Sequence, residues 1–192
     1  LIARTFSSEG VHAFIPLAQY FICVIGALAV HVIVAYGLLL KIVGRLSPVV
    51  FLLKMRAAQL FAFSTASSNA TIPVTLETVK NRLGVDNSVA SFTVPFGATI
   101  NMDGTAIMQG VATVFLAQAY GIDLSLGQFL TVIMTATLAS IGTAGVPGVG
   151  LIMLAMVLQQ VNIPVEGIAL IIGVDRLLDM LRTAVNITGD AA

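Results

Sequence analysis

The chain is 192 residues long, 58% hydrophobic and 9% charged, against about a quarter charged in an ordinary water-soluble domain. So few charges cannot cover a water-facing surface, and the composition specifies an integral membrane chain with the lipid bilayer as its partner. Nine Lys and Arg balance nine Asp and Glu, which excludes the basic excess of a nucleic-acid binder, and the single cysteine, Cys23, can form no internal disulfide.

No initiator Met or signal pattern opens the sequence and no tail follows its last helical pattern, so it is expected to be a fragment of a longer chain. Residues 1–46 are expected to hold the end of a preceding segment plus one transmembrane helix. From Ala13 to Leu40 the chain is uncharged and apolar. As a helix this stretch would be about 42 Å long, more than the about 30 Å of a hydrocarbon core, so a tilted span is predicted. Gln19 and His31 inside it are expected to touch a neighbouring helix, and no role is assigned to either.

The rest, 47–192, is expected to be one core. Lys41, Arg45, Lys54 and Arg56 come without an acid among them, which places this end on the cytoplasmic side. The apolar arm from Ala57 to Phe63 is too short to cross, breaks into FSTASSNATIP, and a second arm from Val74 returns to Glu77, Lys80 and Arg82. Arm length and charge both predict a re-entrant hairpin over 47–84. Residues 88–120 could form one span, but the run GATINMDGT in their middle disfavours an unbroken helix, so an interrupted one is predicted.

Past Asp123, apolar arms Phe129 to Leu138 and Leu151 to Leu158 flank SIGTAGVPGVG, predicting a second re-entrant hairpin over 127–161. Its bases carry Asp123 and Glu166 and no Lys or Arg, so it enters from the opposite face. A polar last helix over 164–190 then crosses inward. The fold class is therefore an all-α membrane protein, an inverted repeat of two re-entrant helical hairpins and broken or polar transmembrane helices. Paired interrupted segments of this kind mark a transporter site near the midplane.

In the last helix Asp175, Asp179, Arg182, Asn186 and Asp190 follow at spacings of four, three, four and four, which places all five on one face. At about 2.5 to 3.5 kcal/mol per central charge, such a stripe cannot face lipid. An internal Asp179–Arg182 pair would explain it structurally; a charged ligand would explain it functionally. Arginine offers a planar fork for a carboxylate and a nearby aspartate suits an ammonium, which together suggest an acidic amino acid. Asn101, Asp103, Thr105, Asn186 and Asp190 are the hard oxygen donors that Na⁺ prefers. The tip residues Ser64, Thr65, Ser67, Ser68 and Asn69 can cap the following helix and also present N–H groups to a carboxylate. Gly142, Gly145, Gly148 and Gly150 with Pro147 suit a mobile second tip.

Three segments in order, NMDGT at Asn101 to Thr105, ASIGTAGVPG at Ala139 to Gly148 and DMLRTAVNITGD at Asp179 to Asp190, resemble the signatures of the glutamate/aspartate:sodium symporter family. The resemblance covers nearly everything from Ala13 onward. It implies the transport domain of an elevator-type protomer, a homotrimer, a multi-pass location in the cell membrane, no enzymatic activity, and no cofactor beyond Na⁺ as coupling ion. Carried over by motif, Arg182 would bind the substrate side-chain carboxylate, Asp179 its amino group, and Thr105, Thr183 and Asn186 further polar groups, with backbone contacts near Ser68, Val146 and Gly150. One sodium site would use Gly97, Asn101, Asn186 and Asp190, and another Thr99, Met102, Ser140, Ile141 and Thr143. A third would use Asp103 and Thr105 with residues of an earlier helix that the sequence lacks.

Two features depart from the family pattern. Its serine-rich first tip reads ASSNA here, with Ala66, Asn69 and Ala70, and the arginine found at that tip or just after the Asp179 position is replaced by Ala66 and Met180. Arg176, one turn away, is the residue placed to compensate. A proton-coupled C4-dicarboxylate or glutamate carrier is the nearest alternative, although a substrate without an amino group would not require Asp179. An intramembrane aspartyl protease is disfavoured because Arg182 would suppress protonation of a catalytic carboxyl.

Overall fold

A computed structural model describes residues 14–192, and among them every regular element is helical. Helix α1 (Phe14–His31) continues through two π-type turns, Val32–Tyr36 and Leu39–Val43. The resulting apolar helix, Ile15–Val43, has 29 residues, about 44 Å at 1.5 Å each, and ends three residues beyond the expected Leu40. One of its faces is bare: Ile22, Ile33 and Val43 are 68%, 72% and 74% exposed, as a lipid-facing surface requires. The opposite face buries Tyr20, Val24 and Leu28. The expected segment preceding Phe14 lies outside the described residues.

Helix α2 (Pro48–Thr65) starts on a proline at its first position, with the Ser47 hydroxyl accepting from the Val50 N–H. Helix α3 (Ser68–Thr78) follows after only two residues and runs on through a π-type turn, Val79–Leu83. Ala66 takes the left-handed conformation that ends α2, and the Ser67 hydroxyl accepts from the Ala70 N–H to begin α3.

The break expected after Phe63 is present but confined to Ala66 and Ser67, because the Ser64 and Thr65 hydroxyls donate back to the carbonyls of Leu60 and Phe61 at 2.7 and 3.0 Å and keep those residues helical. The first arm begins at Pro48 instead of the expected Ala57, so Lys54 and Arg56 lie on the helix and not in the loop before it. At 18 residues α2 is about 27 Å long, near the thickness of the hydrocarbon core, and its length by itself no longer argues against crossing.

Helix α4 (Asn87–Ile100) is capped by Asp86. That carboxylate accepts from the Ser88 hydroxyl and then the Ser88 N–H, which holds it below the usual carboxylate range. The chain leaves helical geometry at Asn101 and Met102 and resumes in α5 (Asp103–Ala119), so the interruption falls inside the NMDGT segment. Helix α6 (Leu126–Ile141) opens on a reciprocal Ser125–Gln128 capping box, residues 142–148 form a non-helical tip, and α7 (Val149–Gln160) leads back. A single 3₁₀ turn, Val165–Gly167, precedes α8 (Ile168–Gly189).

The main core joins α1, α5, α7 and α8 through Met108, Ala112, Leu116, Leu154, Leu158, Ile171 and Leu178. A smaller one seats α2 on α8 through Phe51, Met55, Ala58, Ala62 and Ile187. The two tips meet between these cores. The Asn69 N–H and the Ser67 hydroxyl both donate to the Gly145 carbonyl, at 3.0 and 2.7 Å. Leu154 is completely buried in the larger core. Leu154→Ala is therefore expected to lower unfolding stability by about 2–5 kcal/mol, read as an earlier thermal transition of the detergent-solubilised intact protein.

Candidate binding site

Helix α8 carries its polar residues inward, and Asp175, Asp179, Arg182, Thr183 and Asn186 are all buried. Arg182 is 1% exposed, so its guanidinium needs partners inside the protein. It has two. Nη1 donates to Asp175 Oδ1 at 2.7 Å and Nη2 approaches Asp175 Oδ2 at 3.4 Å, while Nη2 also lies 3.1 Å from Asp179 Oδ1. The expected Asp179–Arg182 pair is present, but the shorter contact goes two helical turns back to Asp175.

The second oxygen of Asp179 accepts the backbone N–H of Gly148 at 2.9 Å, tying the second tip to α8. Gly148 has φ of 81°, a left-handed conformation that turns this N–H toward the carboxylate at little cost for glycine. Gly150 and Gly104 permit the close packing around Arg182: a β-carbon at Gly150 would lie 3.1 Å from Arg182 Nη2, and one at Gly104 would lie 2.8 Å from the Arg182 carbonyl oxygen.

Asn186 organises the broken helix. Helix α5 has no side-chain cap from its own N-cap residue, Met102; instead Asn186 Oδ1 accepts the Gly104 N–H at 2.7 Å. Its amide nitrogen faces Met102 Sδ and Thr105 Oγ1 at 3.2 and 3.3 Å. Asn101, at the end of α4, donates from Nδ2 to the Asn186 carbonyl at 3.0 Å and to Asp190 Oδ1 at 3.1 Å.

These groups enclose a cavity lined by Ser68, Thr105, Val146, Gly150, Asp179, Thr183 and Asn186, which are the substrate-site residues expected from the sequence with the exception of Arg182. Arg182 stands directly behind Gly150. The cavity measures about 10 Å³, room for about one water, so an amino acid could enter only if a tip moved. The Thr183 hydroxyl is spent on the Asp179 carbonyl, at 2.7 Å.

The three expected cation sets fare differently. Gly97, Asn101, Asn186 and Asp190 come together, with Gly97 close enough that a β-carbon there would lie 3.0 Å from Asp190 Oδ1. In the second set, Met102 and Thr143 share the cavity and Ser140 is buried, whereas Thr99 and Ile141 are exposed. The Thr99 and Ser140 hydroxyls donate to carbonyls of their own helices, and the Thr143 hydroxyl donates from the tip back to the Ala139 carbonyl of α6. In the third, Thr105 faces Asn186 while Asp103 faces α1, so the two do not share a pocket.

Two residues given no role from the sequence surround Asp103. His31 touches a neighbouring helix as expected, its Nε2 3.0 Å from Asp103 Oδ2, and the Tyr36 hydroxyl, not picked out from the sequence, lies 3.1 Å from the same oxygen. Five residues apart, they would point about 140° from each other on a regular helix. The π-type turn over Val32–Tyr36 realigns them, and without it no periodicity signals the pair. Arg176 is exposed on a groove of about 610 Å³ between α7 and α8 and makes none of the ion pairs among the described residues.

An all-helical chain with a bare apolar span and an ionised cluster sealed behind a broken helix has the architecture of a membrane protein built around a charged interior. The chain belongs to the sodium:dicarboxylate symporter family, whose model matches residues 1–192. That family is one of membrane transporters and not of enzymes. It is similar to an excitatory amino acid transporter of Caenorhabditis elegans, 46% identical over 175 residues, which is 91% of this chain and 35% of that protein. Excitatory amino acid transporter 3 of Mus musculus is 48% identical over 178 residues, 93% of this chain and 34% of its own length. Excitatory amino acid transporter 1 of Homo sapiens is 44% identical over 175 residues, 91% and 32%. The chain spans about a third of the length of the curated relatives it matches.

Asp175 is the first test of this geometry. Asp175→Asn leaves Arg182 buried with only one carboxylate, and a loss of about 3–5 kcal/mol is expected for breaking such a pair. The measurement is thermal unfolding, with Asp175→Asn/Arg182→Gln as the second arm. Removing the cation as well should restore part of the stability.

Proposed function

We propose that the intact protein is a secondary active symporter of the plasma membrane that takes up acidic amino acids together with Na⁺. The observation that carries this reading is the buried Arg182, held by two aspartates directly behind Gly150 in the wall of a cavity closed by two helix tips. The similarity to excitatory amino acid transporters supports the same substrate class.

In this reading the side-chain carboxylate of the substrate replaces one aspartate on the Arg182 fork, and Asp179, released from Arg182, receives the ammonium group. The Gly148 N–H bond to Asp179 must then give way, so admission of substrate and movement of the second tip are one event. Thr105, Thr183 and Asn186 supply the remaining polar contacts, with the backbone near Ser68, Val146 and Gly150.

Charge supplies the reason for cation coupling. With His31 counted as neutral, Asp103, Asp175, Asp179 and Asp190 stand against Arg182 among the acidic and basic residues of the site, a formal charge of −3. An acidic amino acid adds one more negative charge, which a membrane-embedded site tolerates only with cations bound beside it. The Gly97, Asn101, Asn186 and Asp190 set is the one whose members already converge, and it is assigned as a sodium site. Thr99, Met102, Ser140, Ile141 and Thr143 are assigned as a second site, formed mainly by carbonyls once the tip moves.

The architecture that suits this activity is the inverted repeat: hairpins over 47–84 and 127–161 entering from opposite faces, each followed by a polar helix, 88–120 and 164–190. These segments form the mobile core of an elevator-type protomer in a homotrimer, with residues 1–46 contributing the helix beside it. Support comes from the two-residue turn between α2 and α3, the meeting of the tips at Gly145, and the basic residues at the ends of the first pair.

The test is uptake of labelled aspartate and glutamate by the intact protein in proteoliposomes, with and without an inward Na⁺ gradient at fixed pH. Accumulation that follows the Na⁺ gradient is expected. Accumulation driven only by a proton gradient would keep the substrate class and overturn the sodium assignment. Arg182→Ala is expected to abolish uptake while the protein still inserts, and uptake at normal affinity in that variant would refute the carboxylate role.

A further inference from the structure

Tyr36 is 5% exposed, and its hydroxyl stands between Asp190 of the assigned sodium site and Asp103, which is taken as the ligand of a further cation held on the α1 side and not with Thr105. On one side it reaches Asp103 Oδ2 at 3.1 Å; on the other it reaches the Val185 carbonyl at 3.3 Å. A hydroxyl has one hydrogen, so it can donate fully to only one of these acceptors at a time. Val185 lies next to Asn186 near the C-terminal end of α8, which is closed by Asp190 at the C-cap.

The same hydroxyl is pressed onto Gly189. A β-carbon at that glycine would overlap both the Tyr36 hydroxyl and Asn101 Nδ2, and would sit 2.9 Å from Tyr36 Cζ. Asn101 Nδ2 is the group that donates to Asp190 Oδ1. Phenol and amide thus meet over one bare stretch of backbone, with Asp103 beyond the phenol and Asp190 beyond the amide. The ring is held edge-on by His31, centroids 4.7 Å apart at 71°, which leaves the hydroxyl little freedom except the choice between its two acceptors.

We infer that Tyr36 is a positioning residue that couples cation occupancy at Asp103 to that at Asp190. The inference rests on the symport reading above and deepens it. With the Asp103 site empty, the hydroxyl hydrogen is directed to the carboxylate, which offers the stronger acceptor. A cation on Asp103 takes up that charge and the hydroxyl turns to the Val185 carbonyl, gripping the end of α8 that presents Asn186 and Asp190. The coupling element has two discrete arrangements, each favoured by one state of the sites, as coupling between sites requires. Tyr36 touches no substrate group, so the amino-acid contacts are left as they were.

The experiment is the Na⁺ dependence of aspartate uptake by the intact protein in proteoliposomes, wild type against Tyr36→Phe, which removes the hydroxyl and keeps the ring. A fall in the Hill coefficient toward about one is expected, with half-saturating Na⁺ lowered by about three- to tenfold, because the variant no longer gives up a hydrogen bond to the charged Asp103 for a weaker one to a neutral carbonyl when the cation binds. The KM for aspartate at saturating Na⁺ should not move. A sodium-driven wild type whose Tyr36→Phe variant keeps the same Na⁺ curve overturns the coupling role alone, and so does a variant that only melts earlier or runs slower with that curve unchanged. A wild type indifferent to Na⁺ overturns the symport reading and this inference together. Should Tyr36→Phe fail to insert, Tyr36→Leu provides the second reading, with the same loss of cooperativity expected.

Discussion

Much of the structure is arranged around one buried guanidinium. Arg182 lies inside a chain that offers lipid a mostly apolar surface, and its charge is tolerable only because Asp175 and Asp179 hold it from two directions. Three ions on one face of α8 oblige the protein to cover that face completely, and it does so with α5, α7 and the tip at residues 142–148. Glycines lie where the cover comes closest: Gly104 against the Arg182 backbone and Gly150 against its guanidinium. A side chain at either position would push the cover off the charge it shields.

The interruption between α4 and α5 follows from the same constraint. Helix ends expose unpaired N–H and C=O groups, which lipid cannot satisfy, so a break at this depth needs partners from elsewhere in the protein. Asn186 supplies them for α5 through the Gly104 N–H, and Asn101 joins the end of α4 to the Asn186 carbonyl and Asp190. The asparagines of the two polar segments are thus mutual caps, and the polar atoms they hold in place are those a hard cation would seek.

Several of these features were legible in advance. The stripe Asp175, Asp179, Arg182, Asn186 and Asp190 follows from spacing alone, and GATINMDGT contains too many helix-disfavouring residues to pass as an unbroken span. The polar run after Phe63 reads as a break for the same reason, and the helix does break there, but only at Ala66 and Ser67, because the hydroxyls of Ser64 and Thr65 bond within the helix and α2 persists to Thr65. Serine and threonine count as breakers or as helix residues according to where their hydroxyls find an acceptor, and composition does not report that. A contact of His31 with a neighbouring helix was expected, but its convergence with Tyr36 on Asp103 was not legible, for a different reason. His31 and Tyr36 are brought to one side by a π-type turn that no hydrophobic pattern announces.

By itself the sequence determined the solvent, the helical class, the inward polar face of α8 and the family, because these depend on composition, on periodicity along one helix and on contiguous motifs. Only the tertiary structure decided which carboxylate takes the shorter grip on Arg182, which asparagine caps α5, and what stands against Asp103. Asp175 and Asp179 occupy the same face of α8 at seven and three residues from Arg182, so spacing permits either as the main partner. The choice is made by the neighbours: Gly148 already holds the second oxygen of Asp179, leaving Asp175 to meet the guanidinium with both of its own.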